Sequence, residues 1–77
     1  MSATELLKRS LTIKGHRTSV ALEAPFWQAL DEIADRRGIS RAALITEIDA
    51  ARVGESLSSA IRVYVLDHFR KCATVDG

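Results

Sequence analysis

The sequence predicts a small, mainly α-helical domain with a short β-strand that must find a pairing partner. Three observations predict it. The stretch Arg17-Thr-Ser-Val-Ala-Leu-Glu23 alternates polar and apolar residues, as a half-buried strand does. A proline-started helical pattern follows at Pro25, and Gly38-Ile39-Ser40 divides it from a second helical pattern. A lone strand cannot satisfy its own N–H and C=O groups, so it requires a partner.

The segment before the strand, residues 1–15, reads as an N-terminal arm, partly extended, with Thr4 as a cap for a brief turn. Within it Leu11 and Ile13 alternate with Ser10, Thr12 and Lys14, and Gly15-His16 allows a bend. Two readings compete: an intrachain hairpin around Lys14-Gly15, or an arm followed by one strand that pairs between chains. Lys-Gly is not among the strong hairpin dipeptides, which favours the second.

The first helix starts at Pro25, whose missing N–H costs nothing in a first turn. Phe26, Leu30, Ile33 and Ala34 recur at helical spacing with Trp27 beside them, while Asp31, Glu32 and Asp35 lie on or near the opposite face. Arg36 and Arg37 complement the negative helix end, and Gly38 is the expected left-handed stop. Ser40 is the N-cap of a second helix to about Arg52, with Leu44, Ile45 and Ile48 as its apolar face. After Gly54, Ser56 caps a third helix from Leu57 to about Lys71, striped by Leu57, Ile61, Tyr64, Val65 and Phe69. The domain thus runs from 16 to 72, and a tail, 73–77, is expected to fray.

Seventy-seven residues form one domain. A chain of this size buries only ~60% of its unfolded surface. Its single cysteine, Cys72, permits no intrachain disulfide, so oligomerisation is the natural source of additional core. The composition, 47% hydrophobic and 27% charged, is that of a folded chain. No apolar run approaches the ~20 residues of a membrane span, and the N-terminus has no signal-peptide core, so the expected location is cytoplasmic. Net charge is only +1, but its distribution is uneven. Up to Glu23, Lys8, Arg9, Lys14 and Arg17 stand against Glu5 and Glu23, a modest positive footprint that dimerisation doubles.

The order strand, helix, Gly-Ile-Ser, helix resembles the ribbon-helix-helix family of bacterial DNA-binding proteins. Thr18-Ser-Val-Ala-Leu, Phe26-Trp27-x-x-Leu30-x-x-Ile33-Ala34 and Arg37-Gly-Ile-Ser-Arg-x-x-Leu44-Ile45 carry the resemblance over residues 16–52. A fuller pattern is similar to a small bacterial subgroup of that family. Its matching residues are Lys8-Arg9-Ser10, Gly15-His16-Arg17-Thr18-Ser19, Phe26-Trp27, Glu47-Ile48-Asp49 and Leu57-Ser58-Ser59-Ala60-x-Arg62.

The resemblance implies an intertwined homodimer, with an intermolecular antiparallel two-stranded ribbon and, here, an additional C-terminal helix. It also implies double-stranded DNA as partner, the ribbon entering the major groove as in a transcriptional regulator, with further assembly of dimers on DNA left open. With Thr18, Val20 and Leu22 turned toward the helices, Arg17, Ser19 and Ala21 face outward and are the implied base-reading positions. Arg17 suits guanine, Ser19 several bases, and Ala21 only a thymine methyl. Ser40 and Arg41 at the start of the second helix, with Lys14 and His16, are the implied phosphate contacts. Val20, Leu22, Phe26, Trp27, Leu30, Ile33, Leu44, Ile45 and Ile48 are the expected core and dimer interface.

Other functions find little support in the residues. There is no Gly-rich phosphate loop, no Ser/His/Asp spacing and no carboxylate pair with a cleft, so a non-enzyme without cofactor is expected. His68 and Cys72 stand four apart on the third helix, but a closed zinc site wants four ligands, and no metal is expected. The alternative reading is a dimeric protein-interaction module, antitoxin-like or regulatory, which keeps the fold without base readout. Near-neutral charge, the bland Ala21 and the third helix, a candidate docking surface for a protein partner, motivate it.

Overall fold

In the computed structural model, which describes residues 5–75, two strands and three helices follow one another along the chain. They are β1 (Leu6–Ile13), β2 (His16–Glu23), α1 (Ala24–Arg37), α2 (Arg41–Ala51) and α3 (Leu57–Val75). Thr4, expected as a cap, lies outside the described residues, as do Asp76 and Gly77 of the expected tail. The backbone of α3 is helical to Val75.

Of the two readings around Lys14-Gly15, the structure has the intrachain hairpin, which corrects the preference for an unpaired arm; the other edge of β2 stays open. Residues 6–13 are not an unpaired arm: β1 pairs antiparallel with β2 along its whole length, from Leu6 opposite Glu23 to Ile13 opposite His16. The turn is the two-residue Lys14-Gly15, with φ of 53° and 81°. Two positive φ values in a two-residue loop are the mark of a type I′ turn, whose twist matches the flanking strands. Glycine takes this conformation freely, whereas for lysine it costs ~1–2 kcal/mol. The matched inner rows of the strands outweigh that cost. Ile13, Val20 and Leu22 are buried, and Leu7, Leu11 and Thr18 are half-buried against the helices.

The helices cover this inner face. Gly38, at φ 68°, ends α1, and its N–H donates to the Asp35 carbonyl while that of Ile39 donates to Ala34. Ser40 begins α2 by accepting the Ala43 N–H at 3.0 Å. Ser56 does the same for Ser59 at the start of α3, at 3.1 Å. Leu22, Leu30, Ile33, Leu44, Ile45 and Ile61 are fully buried, one or more from each helix and from β2. Trp27 is buried among them, and its indole Nε1 donates to the Leu7 carbonyl at 2.9 Å, tying α1 to β1. Ile48 completes the buried face of α2, while Phe26 is only half-buried at the rim.

Two bidentate ion pairs link α1 to α2. Arg37 grips Glu47 at 2.8 and 3.1 Å, and Arg41 grips Asp31 at 2.7 Å on both oxygens. α3 is fixed to the hairpin by Ser58 Oγ, which donates to the Ala21 carbonyl at 3.1 Å, and by Arg62, which pairs with Glu23 at 2.9 Å. Among the described residues, no helix is long and apolar enough to cross a membrane.

Candidate nucleic-acid interface

The face of the hairpin turned away from the helices is uncovered. Strand alternation places Lys8, Ser10 and Thr12 of β1 on it, beside Ala21, Ser19 and Arg17 of β2, each directly opposite its partner in that order. All six are exposed except Ala21, which is half-buried. Of the residues expected to read bases, Arg17, Ser19 and Ala21 therefore share one row. Of the second row, from β1, the sequence offers only Lys8, as an added phosphate contact from the arm; Ser10 and Thr12 join it through the strand pairing. The signal of that row was the alternation of Lys8, Ser10 and Thr12 with Leu7, Leu11 and Ile13.

This face carries two cations, Lys8 and Arg17, with Lys14 in the turn beside it. Among the described residues, Lys8, Lys14 and Arg17 have no carboxylate within ion-pair distance. By contrast Arg37, Arg41, Arg52 and Arg62 each have one. The Glu23 carboxylate, at the end of β2, is held below its ordinary range by a backbone hydrogen bond and by Arg62. Its charge is thus already matched.

The residues expected to hold phosphate do not form one cluster. Lys14 lies in the hairpin turn and His16 directly after it, beside Asp49 and Arg52 at the C-terminal end of α2. Ser40 and Arg41 lie at the other end of that helix, on the helical side of the sheet. Ser40 Oγ is engaged as the helix cap. The Arg41 guanidinium lies 5.0 Å from the Trp27 ring centroid and is clamped by Asp31. That hydrogen bond lowers the Asp31 pKa and raises that of Arg41. Arg9 lies over the same indole at 5.7 Å, so two guanidiniums meet on one aromatic platform. Neither contact has a sequence signal, since both depend on tertiary packing.

Elsewhere, a shallow apolar groove lies between Phe26 and the α3 residues Arg62, Val63, Val65, Leu66 and Phe69. Val63 and Leu66 are 65% and 58% exposed. His68 Nε2 and Cys72 Sγ stand 4.0 Å apart on α3, and no group of three metal-ligating side chains occurs among the described residues.

Comparison with known proteins places this architecture. A search of curated proteins gave no significant match. A solved structure, that of an uncharacterized protein from Bordetella pertussis Tohama I, superposes with a TM-score of 0.80 at 31% identity. The match covers 94% of this chain and 62% of that one, so the chain spans less than two thirds of its neighbour's length. The ribbon-helix-helix domain pattern matches residues 6–69, from the start of β1 to Phe69 of α3. With that span covering most of the molecule, the chain belongs to the ribbon-helix-helix family.

Proposed function

We propose that the protein is a homodimeric cytoplasmic regulator of transcription that binds double-stranded DNA, specifically or semi-specifically, with its β-ribbon in the major groove. Ribbon-helix-helix proteins are typically homodimers that bind DNA. The observation that carries the reading for this chain is the uncovered hairpin face, whose Lys8 and Arg17 have no carboxylate partner among the described residues. Arg17 offers a bidentate fork to guanine O6 and N7, Ser19 a hydroxyl to several base edges, and Ala21 a methyl to thymine. The free N–H groups that begin α2, with Lys14 and His16, take phosphate oxygens. Arg41 joins them when a phosphate replaces Asp31 on its guanidinium. No catalytic role is proposed.

Salt-titrated fluorescence anisotropy with duplex DNA tests this reading. The intact protein binds at low salt, and Arg17→Ala loses ~1–3 kcal/mol together with discrimination between sequences. Absence of binding to both genomic and random duplex at low salt defeats it.

A second reading is favoured by the exposed Val63 and Leu66 beside Phe26 and Phe69: a protein-interaction module whose partner docks on α3. A stoichiometric partner other than this chain, retained by Arg17→Ala, in a protein that binds no duplex at low salt, would select it over DNA reading.

A further inference from the structure

We infer that β1 is the outer strand of the DNA-binding sheet, and that its Lys8, Ser10 and Thr12 grip the phosphate rows bordering the major groove while β2 faces the bases. The inference rests on the DNA reading above, in which β2 pairs with the same strand of a second copy, and adds a contact surface to it.

The hairpin leaves β2 ready for that pairing. In a two-residue hairpin the pair flanking the loop, here Ile13 and His16, exchanges both backbone hydrogen bonds, and pairs then alternate. The backbone groups of Arg17 and Ser19 therefore point away from β1, to the open edge of β2. Ser58 and Arg62 meet this strand at its far end, at Ala21 and Glu23. A second copy joined at the open edge sets the two β2 strands inside the sheet and the two β1 strands outside.

Strand spacing decides what each row meets. At ~4.8 Å per strand the two β2 backbones stand ~5 Å apart and the two β1 backbones ~14 Å apart. The major groove is ~12 Å wide. The inner pair fits between the groove walls, over the base edges. The outer pair is too widely spaced to enter and comes down on the walls, which are the sugar-phosphate backbones. The outer-face residues divide accordingly, Arg17 and Ser19 toward bases and Lys8, Ser10 and Thr12 toward phosphates.

The chemistry of the β1 row suits phosphate. All three side chains are exposed. Lys8 presents a compact ammonium with three donors and no carboxylate within ion-pair distance among the described residues. Ser10 and Thr12 add hydroxyl donors, and none of the three carries the planar fork of an arginine or an amide.

The layer beneath supports the same assignment. α2 packs against β1 and α3 against β2. The Trp27 indole donates to the Leu7 carbonyl at 2.9 Å, and its ring carries Arg9 of β1 at 5.7 Å and Arg41 of α2 at 5.0 Å. The start of α2, proposed above to hold phosphate, therefore lies on the β1 side of the sheet, away from the edge that receives the second copy. Lys8, Arg9 and that helix start share one flank.

The full chain is titrated at several salt concentrations with a duplex selected from a random pool and with one of unrelated sequence. Lys8→Ala is expected to weaken binding to both by the same factor, about tenfold at low salt, and to lower the slope of log affinity against log salt by about 2, one phosphate per copy. Lys8→Arg keeps the charge and is expected to bind as the parent does, with circular dichroism of both variants unchanged because the side chain is exposed. Thr12→Val removes a hydroxyl but no charge, and is expected to weaken both complexes about threefold with the slope unchanged. Arg17→Ala, by contrast, loses discrimination between the duplexes. A Lys8→Ala protein that binds both duplexes as the parent does, or that loses affinity for the selected duplex alone, overturns the inference and leaves the DNA reading standing. A parent protein that binds neither duplex defeats the DNA reading and takes this inference with it.

Discussion

At the scale of single residues, the arginines divide by what neutralises them. Arg37, Arg41 and Arg62 are consumed by Glu47, Asp31 and Glu23, and these contacts hold α1, α2, α3 and β2 together. Arg17 and Lys8 make no such contact among the described residues, nor do Arg9, Arg36 and Arg70, but Arg17 and Lys8 are the two that share the outer hairpin face. The pairs also set a pH dependence. Asp31 and Glu23 titrate below their ordinary values of 3.8 and 4.5 when folded, the first through its hydrogen bonds to Arg41, the second through a backbone hydrogen bond and Arg62. In acid the unfolded chain therefore binds more protons than the folded one, and stability falls as pH drops through these values. Urea midpoints are expected to be level from neutral to about pH 5.5 and to decline below about pH 4.5. In Asp31→Asn the decline is smaller. Both carboxylates are partly exposed, so the effect is modest. Trp27 is different in kind, because its ring is core and its indole N–H bonds to Leu7. Trp27→Ala is expected to cost ~3–5 kcal/mol, visible as a large drop in urea midpoint.

At the scale of elements, helix boundaries were legible because their signals are local. Pro25, Gly38, Ser40 and Ser56 each act within one turn of the chain, and each stands at a terminus of the structure. The hairpin was less legible. Judged alone, Lys14-Gly15 is a poor turn, yet the agreement of two apolar rows along paired strands decides the pairing, and that agreement is non-local. The β1 row of the candidate site was not legible as a row for the same reason: Lys8, Ser10 and Thr12 gain a common face with Arg17 only once the strands are paired. The outer position of Arg17 and Ser19 needed only alternation. The strained lysine makes a prediction. Lys14→Asn, which tolerates φ of 53°, is expected to stabilise the protein by about 0.5–1 kcal/mol. Gly15→Ala is expected to destabilise it by about 1 kcal/mol through backbone strain alone, because no atom lies within 4 Å of the added Cβ. Thermal melts of the two variants should move in opposite directions.

At the scale of the whole molecule, two surfaces remain open: the polar and basic outer hairpin face, and the apolar strip of α3. The first suits nucleic acid, and the second suits a protein surface, in the homodimer reading a second copy of this chain. Val63 and Leu66 could not be told from core residues by periodicity, since they extend the stripe of Ile61, Val65 and Phe69 around the helix. Sedimentation equilibrium is expected to find a dimer for the parent chain and a monomer for Leu66→Glu. A parent chain that is monomeric at high micromolar concentration contradicts the homodimer. The central claim, that the hairpin face is where DNA binds, is tested most directly by amide chemical-shift mapping during titration with a short duplex. The shifts are expected to concentrate on Lys8, Ser10, Thr12, Arg17 and Ser19, with a second group around Ser40. Shifts confined to α3, or none at saturating duplex in low salt, would contradict it.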